Sequence, residues 1–354
     1  MIDLLLFTAG LTGVIAGAEM LVRGAGQLAG RFGLSPLVIG LTVVAFGTSA
    51  PELAITLRAA FTDHAADLAL GNIAGSNIAN ILLVLGLAAL IAPVVVAQRL
   101  IHLHVPVMIG ASVLTLFLAR DGNLGAVDGA VLLTGLVGYL VLTLARDRAQ
   151  ISAETAATPA APLPRALAGV ALGIPLLAVG AFILVDAAAA LAARLGISDL
   201  VIGLTLVAVG TSLPEIAATV SAYRLGDRQM AVGNLVGSNI FNLLAVLGLA
   251  ALLAPEGVAV AAAAFAFDLP VMLAVAFACL PVFFTGHTVA RWEGALFLGY
   301  YAGYCAFLFL AAAQHQALGP FSAVMLGFVV PLTLITLAVG VMRQLREHRR
   351  GLYS

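Results

Sequence analysis

Two carboxylates stand inside strongly apolar segments, each directly after a proline. Residues 40–57 read GLTVVAFGTSAPELAITL and residues 203–220 read GLTLVAVGTSLPEIAATV, which places Glu52 and Glu215 at matching positions. An acidic residue at membrane depth is rare and usually functional. With the neighbouring Thr and Ser hydroxyls, the two glutamates form a set of hard oxygen ligands, which suits Ca²⁺ or Na⁺ and not a soft transition metal.

The prolines of these phrases, Pro51 and Pro214, predict a break in each helix. Proline cannot donate to the carbonyl four residues earlier, and its ring pushes the neighbouring turn aside. Freed carbonyls persist at membrane depth only where they line a cavity or find another partner. The predicted free carbonyls are those of Gly47, Thr48, Gly210 and Thr211.

A second pair of phrases supplies more oxygens. Residues 71–80 read GNIAGSNIAN and residues 233–242 read GNLVGSNIFN. In each phrase two glycines four residues apart allow a close helix approach. Polar residues recur every four positions and therefore share one helix face. These residues are Asn72, Ser76 and Asn80 in the first phrase and Asn234, Ser238 and Asn242 in the second.

The electrostatics of two buried acids favour a cation between them. Burying one carboxylate at the centre of a membrane costs on the order of 3 kcal/mol, and two close together repel each other. A divalent cation offsets both penalties, and Ca²⁺ takes about six to eight oxygens. Without it, at least one glutamate should hold a proton or attract monovalent ions. Such competition for one site is what an antiporter requires.

The composition indicates an integral membrane protein. The 354 residues are 62% hydrophobic and 9% charged, whereas soluble domains contain about 25% charged residues. No basic patch predicts a nucleic-acid partner. The first apolar run continues beyond signal-peptide length to Glu19, so we count it as a span. The eleven predicted spans are 4–21, 37–60, 68–93, 103–118, 124–145, 166–192, 200–222, 230–254, 258–284, 292–313 and 321–342.

The repeat extends beyond the polar phrases. GAEMLVRGAGQLAGRFG (17–33) aligns with GAFILVDAAAALAARLG (180–196), and VPVM (105–108) matches LPVM (269–272). Each copy contains five spans, and since five is odd, the second copy enters the membrane from the opposite side. The sequence thus predicts an all-α polytopic membrane protein with two inverted five-helix repeats and one extra C-terminal transmembrane helix. The predicted parts are a first repeat (1–146), a flexible cytoplasmic linker (147–164), a second repeat (165–313) and an extra helix with a basic tail (314–354).

Arginine placement predicts the orientation. All sixteen basic residues are arginine, and a cytoplasmic C-terminus leaves only Arg58, Arg120 and Arg194 outside, as the positive-inside rule favours. We therefore expect a multi-pass protein of the cell (inner) membrane, with its N-terminus outside. Glu19 is expected to pair with Arg23 one turn later.

The cysteines and histidines predict no further site. Cys279 and Cys305 both fall within predicted spans, so we expect buried small side chains and no disulfide framework. The six histidines are scattered, which predicts no metal cluster.

The repeated phrases resemble the alpha-repeats of the Ca²⁺/cation antiporter superfamily, in particular the bacterial sodium/calcium exchangers, over about residues 4–313. The resemblance implies alternating access, with Na⁺ influx driving Ca²⁺ efflux. It implies a calcium site of Glu52 and Glu215 with the carbonyls of Thr48 and Thr211. It implies sodium positions at Ala45, Ser49, Ser76, Asn80, Ala208, Ser212, Ser238 and Asn242.

The resemblance also bears on partners and coupling. It implies transported Ca²⁺ and Na⁺ in a lipid bilayer, with no cofactor and no obligate protein partner. In many relatives one of the residues matching Asn80 and Asn242 is Asp, whereas both are Asn here. This difference removes a titratable group and bears on the choice of coupling ion.

The sequence has three other interpretations. A proton could replace Na⁺ as the coupling ion, which leaves a H⁺/Ca²⁺ (or other cation) antiporter of the same superfamily as the alternative. An intramembrane enzyme is disfavoured because the sequence has no GxGD aspartyl pair and no HExxH motif, and an enzyme has no need for symmetric acids in inverted copies. A passive channel would show linear flux, whereas an antiporter shows saturable counter-transport.

Overall fold

Apolar helices form most of the chain. The computed structural model describes residues 2–61, 66–151, 162–195 and 208–351. Within these ranges nine helices are long and apolar enough to cross a membrane, and a bent pair supplies a tenth span. The helices are α1 (Ile2–Phe32), α2 (Pro36–Thr48), α3 (Ala50–Ala60), α4 (66–91), α5 (Leu100–Asp121), α6 (Ala126–Ile151), α7 (Leu163–Arg194), α8 (Ala208–Thr211), α9 (Leu213–Arg224), α10 (Arg228–Leu253), α11 (Ala264–Phe284), α12 (Arg291–Ala312) and α13 (318–351).

Two short strand pairs tie the repeats together. Strand β1 (Val94–Val95) pairs antiparallel with β4 (Thr288–Val289), and β2 (Asn123–Leu124) pairs antiparallel with β3 (Val258–Ala259). Each pair joins the loop before the fourth span of one repeat to the loop before the fifth span of the other. Because β1 precedes α5 and β2 follows it, the two pairs lie at opposite ends of that helix. The two five-helix repeats are therefore inverted.

The first helices of the two repeats, α1 and α7, pack closely through glycines. An added Cβ at Gly17 would lie 2.7 Å from the Leu177 Cα, and one at Gly173 would lie 2.9 Å from the Gly17 carbonyl oxygen. A Cβ at Gly24 would lie 2.8 Å from the Ala166 carbonyl oxygen. Small residues at such positions let two membrane helices approach until their backbones touch.

Segments of π-helix recur at equivalent positions of the two repeats. One begins at Asn80 in α4 and another at Asn242 in α10. A second related pair opens the fourth spans, at Leu100–His104 and Ala264–Asp268. Such wide turns inside α-helices frequently mark functional sites, since they change the direction in which side chains point. In this protein a π-helical segment starts at each of the two predicted asparagine ligands, Asn80 and Asn242.

Some predicted boundaries were wrong. The ninth span was predicted to begin at Val258, but that residue lies in β3 and helix α11 begins at Ala264. Likewise, Leu124 lies in β2 and α6 begins at Ala126. These residues pair with a strand of the other repeat, which hydropathy does not reveal.

The predicted linker 147–164 is helical at both ends, because α6 continues to Ile151 and α7 begins at Leu163. Its first residue, Asp147, is buried and accepts hydrogen bonds from Arg99 Nη1 (2.6 Å) and the Ser35 backbone N–H (2.9 Å). The bond from Arg99 fixes the end of α6 to the start of α5, and the bond from Ser35 fixes it to the start of α2. Residues 152–161 lie outside the described ranges.

The last helix, α13, packs on the edge of the second repeat. Tyr300 on α12 donates a hydrogen bond to Thr333 Oγ1 (2.7 Å). Large apolar side chains such as Leu326 and Phe328 are exposed on it, as expected for a surface that faces lipid. Among the described residues the helix has no counterpart in the first repeat, and it lies apart from the polar phrases.

Candidate functional site

Both glutamates lie just after a helix break. The first break is at Ser49 (φ −80°, ψ 3°), where α2 and α3 are bent by 45°. The second is at Ser212 (φ −90°, ψ 3°), between α8 and α9. Glu52 and Glu215 sit in the first turns of α3 and α9, and each proline occupies a position that needs no N–H donor. The sequence therefore predicted the breaks correctly.

Both carboxylates are completely buried, with 0% exposure. The Ser76 hydroxyl donates to Glu52 Oε1 at 3.2 Å. The Glu215 carboxylate lies within electrostatic range of Glu52 and near the hydroxyls of Thr48 and Ser238, without a hydrogen bond to either hydroxyl. The ion pairs formed among the described residues involve other acids, namely Glu19, Asp147 and Asp3. The simplest structural explanation of Glu52 and Glu215, pairing with an arginine, therefore has no support in the described part of the chain.

Hydroxyls and amides from both repeats line the same region. Thr48 Oγ1 lies 3.1 Å from Asn234 Oδ1, to which it donates, and 3.1 Å from Ser238 Oγ. Asn242 Nδ2 donates to Ser76 Oγ at 3.3 Å. Since Thr48 and Ser76 belong to the first repeat and their partners to the second, the polar phrases meet at the repeat interface.

Several buried oxygens in this region have no hydrogen-bond partner among the described residues. Buried polar atoms are nearly always paired, and exceptions need an explanation such as an ion. All of these oxygens can accept, so a cation is the complementary ligand. They are Ser49 Oγ, Glu52 Oε2, Asn80 Oδ1, Ser212 Oγ, Glu215 Oε1 and Oε2, and Asn242 Oδ1.

The remaining predicted ligands lie at the same helix breaks. Ala45 opens the last turn of α2, where its carbonyl accepts from the Ser49 N–H (3.0 Å) and lies 3.3 Å from Thr48 Oγ1. Ala208 and Thr211 begin and end α8. The C-terminal carbonyls of a helix carry partial negative charge, which favours a cation near these turns.

The glycines of the second phrase differ between the repeats. An added Cβ at Gly237 would lie 2.8 Å from the Leu41 Cα, and one at Gly233 would lie 2.7 Å from the Leu37 carbonyl oxygen. These two glycines thus allow the predicted close approach of α10 to α2. Gly71 and Gly75 have no described atom within 4 Å of an added Cβ, and residues 203–207, which match the segment that covers Gly233, lie outside the described ranges.

The sequence reasoning missed two asparagines, Asn77 and Asn239. Both are buried at the site, where Asn80 Nδ2 donates to Asn239 Oδ1 (3.1 Å) and Asn242 Nδ2 donates to Asn77 Oδ1 (3.0 Å). The signal was present, because the triplet GSN occurs unchanged in both phrases. The two asparagines lie on a different helix face from the polar residues that recur every four positions. The prediction from that periodicity therefore did not include them.

Outside the glutamates, the donor set consists of neutral oxygens. No group of three or more His, Cys, Asp or Glu side chains gathers within the described ranges. His104 is buried next to Tyr139 (Nδ1 to Oη 3.2 Å), whereas His102 is exposed. Cys279 and Cys305 are free thiols, and the expected burial holds for Cys279 but not for Cys305, which is half-buried. Glu19 pairs with Arg23 at an exposed position, as the sequence predicted.

Comparison with known proteins identifies the family. The model of the sodium/calcium exchanger protein family matches residues 2–145 and 165–310. The chain is 38% identical over 310 residues to the putative antiporter CaxA of Alkalimonas amylolytica, covering 85% of this chain and 96% of that protein. It is 31% identical over 348 residues to the sodium/calcium exchanger MaX1 of Methanosarcina acetivorans, covering 87% of this chain and 99% of that one.

Solved structures of one exchanger also match this chain. The sodium-calcium exchanger NCX_Mj, soaked with zero Na⁺ and Ca²⁺, matches with a TM-score of 0.73 at 32% identity, over 86% of this chain and 98% of its own. The same exchanger soaked with 2.5 mM Na⁺ and 1 mM Sr²⁺ gives a TM-score of 0.72 at 33% identity. The residues that the family model matches include both polar phrases of each repeat. The chain is therefore a multi-pass membrane transporter and belongs to the sodium/calcium exchanger family of cation antiporters.

Proposed function

We propose that this protein exchanges Ca²⁺ for Na⁺ across the cell membrane by alternating access at the site between the repeats. Glu52 and Glu215 bind Ca²⁺ together with the carbonyls of Thr48 and Thr211. The neighbouring oxygens bind Na⁺ after Ca²⁺ has been released. These oxygens belong to Ala45, Ser49, Ser76, Asn80, Ala208, Ser212, Ser238 and Asn242.

One observation carries the proposal: buried acceptor oxygens without partners come from matching positions of both repeats. The matching pairs are Glu52 with Glu215, Ser49 with Ser212, and Asn80 with Asn242. Seven such atoms are enough for a dehydrated Ca²⁺, which takes about six to eight oxygens. Two formal negative charges balance one divalent cation. No arginine pairs with them among the described residues.

The balance between the negative charge of the glutamates and the positive charge of the bound ion also explains ion exchange. Two buried carboxylates that face each other without a cation are strongly unfavourable, so the site favours states that carry positive charge. Ca²⁺ or sodium ions supply that charge. The protein can then open the occupied site to the other side of the membrane. The relatives MaX1 and NCX_Mj are both named sodium/calcium exchangers, which supports Na⁺ as the coupling ion.

The orientation follows from the arginine distribution. We propose that the N-terminus lies outside and the arginine-rich end of α13 lies in the cytoplasm. The inner membrane protein YrbG of Escherichia coli is 38% identical over 284 residues, which supports the inner membrane as the location. In this arrangement the repeats 1–146 and 165–313 form the transport unit, and α13 (318–351) lies beside it.

The test measures Ca²⁺ uptake into vesicles that contain the purified protein. Vesicles loaded with Na⁺ and diluted into Na⁺-free buffer should accumulate ⁴⁵Ca²⁺, and uptake should saturate with Ca²⁺. Vesicles loaded with choline provide the control without a Na⁺ gradient. A separate set carries a pH gradient without Na⁺. Uptake that follows the pH gradient and ignores Na⁺ would replace the proposal with H⁺/Ca²⁺ exchange, and uptake that rises linearly with Ca²⁺ would indicate a channel.

A further inference from the structure

Each of the ion-facing asparagines, Asn80 and Asn242, is held by an asparagine of the other repeat. Asn239 Oδ1 accepts from Asn80 Nδ2 at 3.1 Å, and Asn77 Oδ1 accepts from Asn242 Nδ2 at 3.0 Å. Both holding residues are 2% exposed. With their nitrogen ends bound, Asn80 and Asn242 keep only their Oδ1 atoms unpaired, and these atoms are buried.

The holding asparagines are themselves oriented by methionine sulfurs. Asn239 Nδ2 donates to Met108 Sδ at 3.4 Å, and Asn77 Nδ2 donates to Met272 Sδ at 3.7 Å. The oxygen and nitrogen ends of an amide are distinguished by their hydrogen-bond partners. A thioether sulfur accepts weakly and never donates, so the amide end that faces it must be the NH₂ group. The Oδ1 end of the holding asparagine then faces the ion-facing amide and takes its N–H.

We propose that Met108–Asn239–Asn80 and Met272–Asn77–Asn242 are two positioning chains that turn each ion-facing amide so that its oxygen points to the bound cation. Each chain crosses the repeat interface twice, since its first and last members belong to one repeat and its middle member to the other. The inference rests on the proposed ion site and adds residues that do not touch the ion. It also explains the methionines of VPVM and LPVM, which the ion ligands leave without a role.

The chains require an amide at positions 80 and 242. An aspartate there would present an oxygen to the oxygen of the holding asparagine, and two acceptors facing each other in a buried site are unfavourable. The fixed orientation therefore suits the neutral pair Asn80 and Asn242 found in this protein.

The two positioning chains differ in how firmly they orient the holding asparagine. Asn77 Nδ2 also donates to the Asn239 backbone carbonyl oxygen at 3.2 Å, and a carbonyl is an acceptor only. Asn77 therefore stays oriented when Met272 is lost. Met108 is the one described acceptor for Asn239 Nδ2, so its loss lets the Asn239 amide turn over. Replacing Met108 should consequently do more harm than replacing Met272.

The experiment compares three Met→Leu variants in Na⁺-loaded vesicles. Met108→Leu and Met272→Leu remove a chain acceptor with little change in volume, and Met230→Leu is the control, since Met230 is equally buried and bonds to no amide in the described structure. We expect Met108→Leu to raise the KM for Ca²⁺ by about three- to tenfold, the range of one modest hydrogen bond. Met272→Leu and Met230→Leu should stay within about twofold of wild type by the same reasoning. Equal KM values for the Met108 and Met230 variants would overturn the proposal.

A second comparison separates positioning from folding. Asn80→Asp should weaken Ca²⁺ uptake strongly in the wild-type background and less in the Met108→Leu background, because the freed Asn239 can turn its NH₂ group toward the aspartate. A purely structural role of Met108 predicts losses that add, and additive losses would contradict the chain. If wild-type vesicles take up no Ca²⁺ under a Na⁺ gradient, the proposed function fails. If they do and Met108→Leu matches Met230→Leu, only the chains fail.

Discussion

Replacing Glu215 with glutamine tests the ion site directly, because it exchanges one oxygen for an NH₂ group and keeps the size of the side chain. Glu215 is fully buried, and neither of its carboxylate oxygens has a hydrogen-bond partner among the described residues. The substitution therefore removes a buried charge together with one acceptor oxygen. It should leave the ion-free protein at least as stable as wild type and should weaken the binding of Ca²⁺.

The size of each effect follows from the burial of the Glu215 side chain. In the ion-free protein at least one of the two glutamates holds a proton, so glutamine at 215 relieves at most the penalty of one buried charge, on the order of 3 kcal/mol at membrane depth. The variant should therefore be at least as stable as wild type. In the Ca²⁺-bound protein, removing one partner of a buried charge pair costs about 3 to 5 kcal/mol. This corresponds to a roughly 100- to 5000-fold loss of Ca²⁺ affinity. Glu52→Gln should behave in the same way, since Glu52 is equally buried.

Thermal unfolding with and without Ca²⁺ measures both effects. Because Cys279 is buried and free, a thiol-reactive fluorophore reports unfolding of the detergent-purified protein. At a Ca²⁺ concentration 100 times the wild-type Kd, binding stabilises wild type by about 2.7 kcal/mol. A variant that binds 100-fold more weakly gains only about 0.4 kcal/mol. Na⁺-driven Ca²⁺ uptake by either glutamine variant should be abolished.

Glu19→Gln is the matched control, because Glu19 forms an exposed ion pair with Arg23 and such pairs contribute about 0 to 1 kcal/mol. It should keep both Ca²⁺-dependent stabilisation and uptake. A full Ca²⁺-induced shift in Glu215→Gln would refute the reasoning, as would an ion-free variant less stable than wild type.

Three further predictions concern the scaffold. Gly17→Ala should destabilise the protein by about 1 to 3 kcal/mol because a Cβ there meets the α7 backbone, whereas Gly30→Ala on the same helix, with no described atom within 4 Å, should be neutral or stabilising. Asp147→Ala should lower the thermal stability by about 3 kcal/mol because it leaves a buried ion pair with one member. In inside-out and right-side-out vesicles, a membrane-impermeant maleimide should label Asn123→Cys from the outside and His287→Cys from the cytoplasmic side, since the two strand pairs lie at opposite faces.

Each of these predictions has a clear contrary result. Equal stability of the two glycine variants would show that α1 and α7 do not pack backbone to backbone. An Asp147→Ala variant as stable as wild type would mean that the Arg99–Asp147 ion pair does not hold the end of α6 to the start of α5. Labelling of both cysteines from the same face would contradict the inverted arrangement of the repeats.

The sequence was most informative where its physical signal is local. Proline at 51 and 214 removes a helical N–H donor and disfavours a continuous helix, and the structure has both breaks within two residues of the prolines. The duplicated phrases predicted inverted copies, because an odd number of spans separates them. By contrast, the predicted end of the first span at Leu21 was too early. Helix α1 continues to Phe32, since Glu19 and Arg23 pair on its surface while Gly24 packs against α7.

The amino-acid sequence by itself determined the membrane class, the repeat and the polar residues that lie at the repeat interface, because composition, hydropathy and duplication are properties of the chain alone. Tertiary structure alone decided how those residues face one another. The strand pairs, the α1–α7 contact and the hydrogen bonds of Asn77 and Asn239 each join residues more than a hundred positions apart. The direction of a buried amide depends on which partner the other repeat places beside it, and no pattern within one repeat contains that information.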